Sequence, residues 1–288
     1  MSTISIRHYL SLVKFSHTVF ALPFAITGFF LGIEATEQTP DWTLFLKVVL
    51  CMVFARSAAM GFNRFIDRRF DEKNARTAIR EIPSGIISPG AALSFVITMS
   101  VLFIATTWLI NPLCFFLSPV ALSVILGYSL TKRFTWLCHF ILGIGLSLAP
   151  IGAYLAVTGE FSWLPLCFSF AVFFWTAGFD IIYALQDEDF DRSERLFSVP
   201  VWLGKRKALN LSSVIHSFTA LFIIVAGISG GFGLFFWIGA SAFLALLVYQ
   251  HSIVKPDDLS RVNLAFGTTN GVASVIFAVF FLLEHFLG

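Results

Sequence analysis

The chain has 288 residues, of which 57% are hydrophobic and 12% charged, with 35 Phe. A soluble domain carries roughly twice that share of charge, so the composition argues against one and points to an all-α, polytopic membrane protein in contact with the lipid bilayer. The net charge of +2 is too small to suggest a nucleic-acid partner.

Taken in order, the first fourteen residues, with Arg7 and Lys14, fit a short interfacial helix. The apolar run that follows, His17 to Ile33, lacks a small-x-small cleavage site before Glu34 and reads as a retained first span. A span needs about 20 mostly apolar residues. On that measure the sequence predicts nine transmembrane helices, near 16–34, 43–63, 91–110, 112–130, 136–157, 163–185, 209–229, 231–250 and 264–284. They are expected to bundle around a central cavity as a single domain, 1–288. Pro23, Pro119 and Pro150 fall inside spans, where proline is tolerated. Cys51, Cys114, Cys138 and Cys167 stand singly in apolar runs, with no zinc or disulfide pattern.

Of the 19 Lys and Arg, all but Lys47 and Arg56 fall before span one or after spans two, four, six and eight. The intervening loops hold none. By the positive-inside rule the N-terminus is expected in the cytoplasm and the C-terminus outside. The two long loops, after spans two and six, then share the cytoplasmic face and hold more than half of the 17 acidic residues.

Within these loops lie two ladders. Asn63, Asp67 and Asp71 are four residues apart, as are Tyr183, Asp187 and Asp191. Such spacing puts side chains on one face if each span continues as a helix. Arg56 lies seven residues before Asn63, and Asp180 seven before Asp187. Both sit in apolar runs, where ionisable groups are expensive and usually functional. A juxtamembrane charge cluster is most often only a solvated face. Two carboxylate ladders on one side of a membrane are better explained by a shared cation. Oxygen-only ligands favour Mg²⁺, which commonly binds a few carboxylates plus substrate phosphates. Interspersed basic residues then suit a diphosphate whose departure the metal assists.

At these residues the chain resembles the UbiA superfamily of intramembrane prenyltransferases. Asn63-Arg-Phe-Ile-Asp67-Arg-Arg-Phe-Asp71 is similar to the family's NDxxDxxxD, with Arg64 where many members carry Asp. Asp180-Ile-Ile-Tyr183-Ala-Leu-Gln-Asp187-Glu-Asp-Phe-Asp191 is similar to its DxxYxxxDxxxD. RTAIREIPSG from Arg76 and YSLTKR from Tyr128 are also family-like. The resemblance covers nearly the whole chain and implies nine spans and a reaction. Asp67, Asp71, Asp187 and Asp191 would hold Mg²⁺ ions that bind a polyprenyl diphosphate. Asn63 and Asp180 would complete the head-group site, and Arg76, Arg80 and Lys132 would contact phosphate. The allylic cation left behind would attack an aromatic acid ortho to its hydroxyl, with Asp180 or the diphosphate taking the ring proton. Arg56 and Arg133 are candidates for the acceptor's carboxylate, and Arg56 equally for an ion pair with Asp67 or Asp180. Lys14 and Tyr183 complete the acceptor-side candidates. The family setting implies a bacterial inner membrane with the site on its cytoplasmic side.

The run ARSAAMGFNRFIDRRFD with REIPSG is most similar to the 4-hydroxybenzoate polyprenyltransferases of quinone biosynthesis. The Asn63-Arg64 pair is similar instead to the branch associated with the futalosine route to menaquinone, which implies a dihydroxynaphthoate acceptor. The acceptor is left between these two. A transporter would place its acids near mid-span, whereas these cluster at span ends. A CDP-alcohol phosphatidyltransferase would carry DGxxAR, which the chain lacks. A non-catalytic scaffold would need neither ladder.

Overall fold

A computed structural model describes residues 6–14 and 20–288. Among them the chain is helical, with no β-strand beyond an isolated bridge between Lys255 and Asp258. The helices are α1 (Ile6–Leu12), α2 (Leu22–Thr36), α3 (Trp42–Lys73), α4 (Pro89–Trp108), α5 (Pro112–Thr131), α6 (Cys138–Thr158) and α7 (Trp163–Ala184). The short α8 (Glu188–Ser193) and α9 (Val199–Leu203) follow, then α10 (Lys205–Ser229), α11 (Leu234–Ile253) and α12 (Asn270–Leu287). Eight helical segments among the described residues are long and apolar enough to cross a membrane. The exception among the predicted spans is the first, whose described helix α2 has 15 residues. Residues 15–19, including His17, lie outside the described part.

Local chemistry sets the boundaries. Asp41, Ser88 and Asn111 cap α3, α4 and α5 by accepting from backbone N–H groups two or three residues further along, and Pro89 and Pro112 open the latter two. At ~1.5 Å per residue, the 32 residues of α3 extend about 48 Å. The hydrocarbon core is only ~30 Å thick. The last turns of α3, which carry Asn63, Asp67 and Asp71, therefore have helix to stand on beyond the apolar layer.

The second ladder departs from the expected single helix. α7 stops at Ala184, a 3₁₀ turn spans Leu185–Asp187, and α8 starts at Glu188. The tighter turn, near three residues per revolution, shifts the angular spacing of side chains between Tyr183 and Asp191 away from that of one regular α-helix.

Helix α6 packs along α2 and α7, α7 along α10, α3 along α4, and α11 along α12. The centre is a phenylalanine core: Trp175 packs against Phe24, Phe179 and Phe243 with ring centres 5.1–5.6 Å apart, and Phe277 joins Phe24 and Phe243 to Phe168, all buried. Gly28 permits the close approach of α2 to α6, since a Cβ there would lie 2.0 Å from the Pro150 carbonyl oxygen. The largest polar side chains in this core are paired, whereas the Ser169 and Thr176 hydroxyls have no hydrogen-bond partner among the described residues. Trp175 Nε1 donates to Asn270 Oδ1 at 2.8 Å. Asn270 Nδ2 donates to the Ala265 and Phe266 carbonyls at 3.0 and 3.1 Å, bracing the π-helical turn Leu264–Thr269.

On the face away from the ladders α2 and α12 are tied together. His285 Nδ1 lies 2.5 Å from Glu34 Oε1, and Glu284 accepts from the N–H of Gly233 and of Phe236 at the start of α11. On the ladder side, Leu12 of α1 packs with Ile82, Ile87 and Ala92. Ser11 Oγ donates to Glu81 at 2.5 Å. The connection after α3 is thus folded against the bundle.

Candidate active site

The ends of α3, α5 and α7 and the segments after them enclose a polar cavity of about 530 Å³. Every candidate site residue from the sequence lines it: Asn63, Asp67 and Asp71 from α3; Asp180, Tyr183, Asp187 and Asp191 from α7 to α8; Arg76, Arg80, Lys132 and Arg133 from the connections; and Arg56 and Lys14. The break after Ala184 does not separate the second ladder, because Arg76 joins two of its members. Its Nη2 lies 2.6 Å from Asp187 Oδ2, its Nε 3.2 Å from Oδ1, and its Nη1 donates to Tyr183 Oη at 2.9 Å. Tyr183 stacks on Phe266 with ring centres 4.1 Å apart.

Each ladder carboxylate has one cation. Arg80 Nη1 lies 2.6 Å from Asp71 Oδ1, Lys132 Nζ 2.7 Å from Asp191 Oδ1, and Arg133 Nη2 3.0 Å from Asp67 Oδ1, with Arg76 on Asp187. Asn63 Nδ2 donates to the other oxygen of Asp67 at 3.1 Å. Two of the bases sit outside the spans, where their protonation is set by opposed effects. Burial lowers the Lys132 pKa, but Asp191 and Asp187 outweigh it and hold the ammonium above the usual lysine range. Burial likewise opposes charge on Arg76, and Tyr183 and Asp187 overcome it. Both remain cations throughout the physiological range.

The two candidate acceptor arginines differ. Arg133 is engaged with Asp67 and with the Ile66 carbonyl at 2.8 Å. Arg56 pairs with neither of the acids suggested for it: Asp67 has Arg133, and Asp180 has His139. Its Nε is buried without a hydrogen-bond partner. Arg64, 7% exposed, is similar, with an unpartnered Nε and a place in the cavity wall. A buried guanidinium with no carboxylate in ion-pair contact is suited to receive an anion.

The donor set suits a hard cation. The ladder offers carboxylate oxygens, and Asp71 Oδ2 is buried with no hydrogen-bond partner. Among the described residues no three acidic, histidine or cysteine side chains converge on one point. A hard cation held by these carboxylates would take its remaining ligands from water or phosphate oxygens, as Mg²⁺ commonly does.

Three contacts were not foreseen in the sequence. His139 Nδ1 lies 2.7 Å from Asp180 Oδ2, at the foot of α6. Asn74 donates to Asp187 Oδ1 at 3.3 Å. Phe266 enters the wall from the π turn. No spacing rule links 139 to 180 or 266 to 183. The only signal for His139 is its place six residues after Arg133, at the mouth of an apolar run.

A second cavity, of about 360 Å³, adjoins the first and is lined mainly by apolar side chains of α3, α5 and α6. The two share Arg56, Met60, Tyr128, Leu142 and Leu146. A charged chamber and an apolar chamber thus meet at one wall, with Arg56 and Tyr128 as its polar members.

Comparison with known proteins accords with this architecture. The model of the UbiA prenyltransferase family matches residues 21–282. A 4-hydroxybenzoate octaprenyltransferase of Aliivibrio fischeri (strain MJ11) is 31% identical over 246 residues, 84% of each chain. Among solved structures, a UbiA homolog from Aeropyrum pernix K1 superposes with a TM-score of 0.83 at 29% identity, covering 93% of this chain and 98% of that one. A UbiA homolog from Archaeoglobus fulgidus, bound to DMAPP and Mg²⁺, shares the fold with a TM-score of 0.73 at 21% identity, over 97% and 99% of the two chains. With paired ladders around one cavity and a family match over nearly its full length, the chain belongs to the UbiA prenyltransferase family and is an integral, multi-pass membrane prenyltransferase.

Proposed function

We propose that this enzyme transfers a polyprenyl chain from polyprenyl diphosphate to an aromatic acid of the 4-hydroxybenzoate type. It does so on the cytoplasmic side of a bacterial inner membrane, as a step of quinone biosynthesis. The observation that carries this reading is the junction of the two cavities. Cations and carboxylates that suit a diphosphate lie beside an apolar chamber that suits a hydrocarbon tail. The 4-hydroxybenzoate octaprenyltransferases among its relatives support the acceptor class.

Asp67, Asp71, Asp187 and Asp191 would hold Mg²⁺ ions, and the Archaeoglobus fulgidus homolog with Mg²⁺ and DMAPP supports that choice. When bound, Mg²⁺ neutralises charge that builds on the leaving diphosphate. Arg76, Arg80 and Lys132 exchange carboxylate for phosphate oxygens, and Asn63 and Asp180 complete the head-group end. The allylic C–O bond breaks with its electron pair going to diphosphate, and the allylic carbon bonds the ring ortho to the hydroxyl. The apolar wall excludes the water that would otherwise quench the cation. Arg56, without a partner of its own, receives the acceptor's carboxylate, with Tyr183, Arg133 and Lys14 nearby in the lining.

A second acceptor, a dihydroxynaphthoate for menaquinone, is favoured by one feature: Arg64 beside Asn63, buried in the wall of the cavity. Purified protein supplied with Mg²⁺, a polyprenyl diphosphate and each acid in parallel tests both. Prenylation of one acid, lost with EDTA, is the expected result and names the acceptor. Diphosphate binding with neither acid prenylated would refute this acceptor class, and no diphosphate binding would refute the head-group site assigned to the two ladders.

A further inference from the structure

Asp180 is anchored on one side only. Its Oδ2 lies 2.7 Å from His139 Nδ1. Among the described residues its Oδ1 has no hydrogen-bond partner, and the side chain is 23% exposed and lines the polar cavity. His139 is buried and fixed from behind: the backbone N–H of Val199, at the start of α9, donates to its Nε2 at 3.2 Å.

The partners assign the tautomer. A nitrogen that accepts from an amide carries no proton. The ring proton of a neutral His139 is therefore on Nδ1, where it points at Asp180. A hydrogen bond donated to one oxygen of a carboxylate fixes the plane of the group and leaves the other oxygen free to accept. The arrangement uses residues from three separated segments, α6, α7 and α9, to orient one carboxylate. Any buried histidine needs partners for its ring nitrogens; here one of the two is a carboxylate that lines the polar cavity.

We propose that His139 is a positioning residue that orients the Asp180 carboxylate as the base of the cavity, with Oδ1 presented to the aromatic acceptor. As the new C–C bond forms, the proton on the attacked ring carbon passes to Asp180 Oδ1. The C–H electron pair restores aromaticity, and diphosphate has already left with the C–O pair. Atoms and charge balance without a further reactant. This step rests on the aromatic-transfer reading above, whereas the His139–Asp180 arrangement is measurable without turnover.

Two variants separate orientation from packing. His139→Asn keeps a side-chain N–H near the position of Nδ1, whereas His139→Gln offers an oxygen near that of Nε2, which answers Val199 but not Asp180. We expect His139→Gln to lower kcat by about 10²-fold with the KM for both substrates and the thermal midpoint nearly unchanged, and His139→Asn to recover most of the rate. The reverse order, or equal activity in both, would overturn the assignment. Independently of turnover, ¹⁵N-histidine spectra of the wild type minus those of His139→Asn should show one neutral Nδ1–H ring. An Nε2–H ring or an imidazolium at that position would overturn the assignment. Failure of the wild type to prenylate any aromatic acid would instead refute the reaction proposed for the site.

Discussion

Lys132 and Arg133 are neighbours at the end of α5, yet they hold opposite ladders. Lys132 Nζ reaches Asp191 Oδ1 at 2.7 Å, and Arg133 Nη2 reaches Asp67 Oδ1 at 3.0 Å. One dipeptide therefore sets the distance between the two carboxylate rows. Asp191 is fully buried, so loss of Lys132 leaves a buried charge unpaired. The Lys132 pKa is raised on folding. Its stabilising effect is thus complete below the ordinary lysine pKa and is lost as pH rises through the higher folded value. Thermal unfolding of Lys132→Met should show a deficit at pH 7 that is unchanged at pH 9 and shrinks only above the lysine range.

Removal of either ladder's carboxylate should stop turnover. Asp67→Ala and Asp191→Ala are each expected to lower kcat by at least about 10²-fold, while the protein still inserts and elutes as a folded species in detergent. Full activity in either would remove that residue from the metal site.

Chelation should be reversible. Every ladder carboxylate already has a cation from the chain, so folding does not wait for a metal. EDTA should abolish product formation while the thermal midpoint of the ligand-free protein stays put, and added Mg²⁺ should restore the rate.

Arg56 should act on the acceptor alone. Its Nε is unpartnered and it stands at the wall between the two cavities. Arg56→Gln should raise the KM for the aromatic acid by roughly 10-fold or more, as the loss of a charge-assisted bond of 1.5–3 kcal/mol implies. The KM for polyprenyl diphosphate should change little.

Asn270 serves the fold rather than the chemistry. It answers Trp175 Nε1 and two carbonyls of the π turn. Asn270→Leu would leave these buried groups unpaired, at about 1–3 kcal/mol each. It should lower the thermal midpoint and, by loosening Phe266, raise the KM for the substrates as a secondary effect.

Much of this was legible in the sequence because membranes impose simple rules. Apolar runs of span length located the helices, and the face shared by Asn63, Asp67 and Asp71 survives in α3 because that helix runs unbroken to Lys73. The second ladder misled in one respect. Its spacing looked helical, but the backbone tightens over Leu185–Asp187, and only the common contact with Arg76 restores the grouping. The partners of Asp67, Asp71, Asp187 and Asp191 could not be read at all. Pairings such as Arg76 with Asp187 depend on how separate spans are set side by side, and local spacing does not carry that information. His139 escaped for the same reason: its meaning lies in Asp180, 41 residues away.

The clasp between Glu34 and His285 has a bearing on stability. It joins the first and last described long helices, α2 and α12, which also pack along each other. The apolar chamber is bounded elsewhere, chiefly by α3, α5 and α6. Neither residue lines that chamber, so breaking the clasp should loosen α2 from α12 and lower the thermal midpoint while leaving the shape of the chamber nearly as it was.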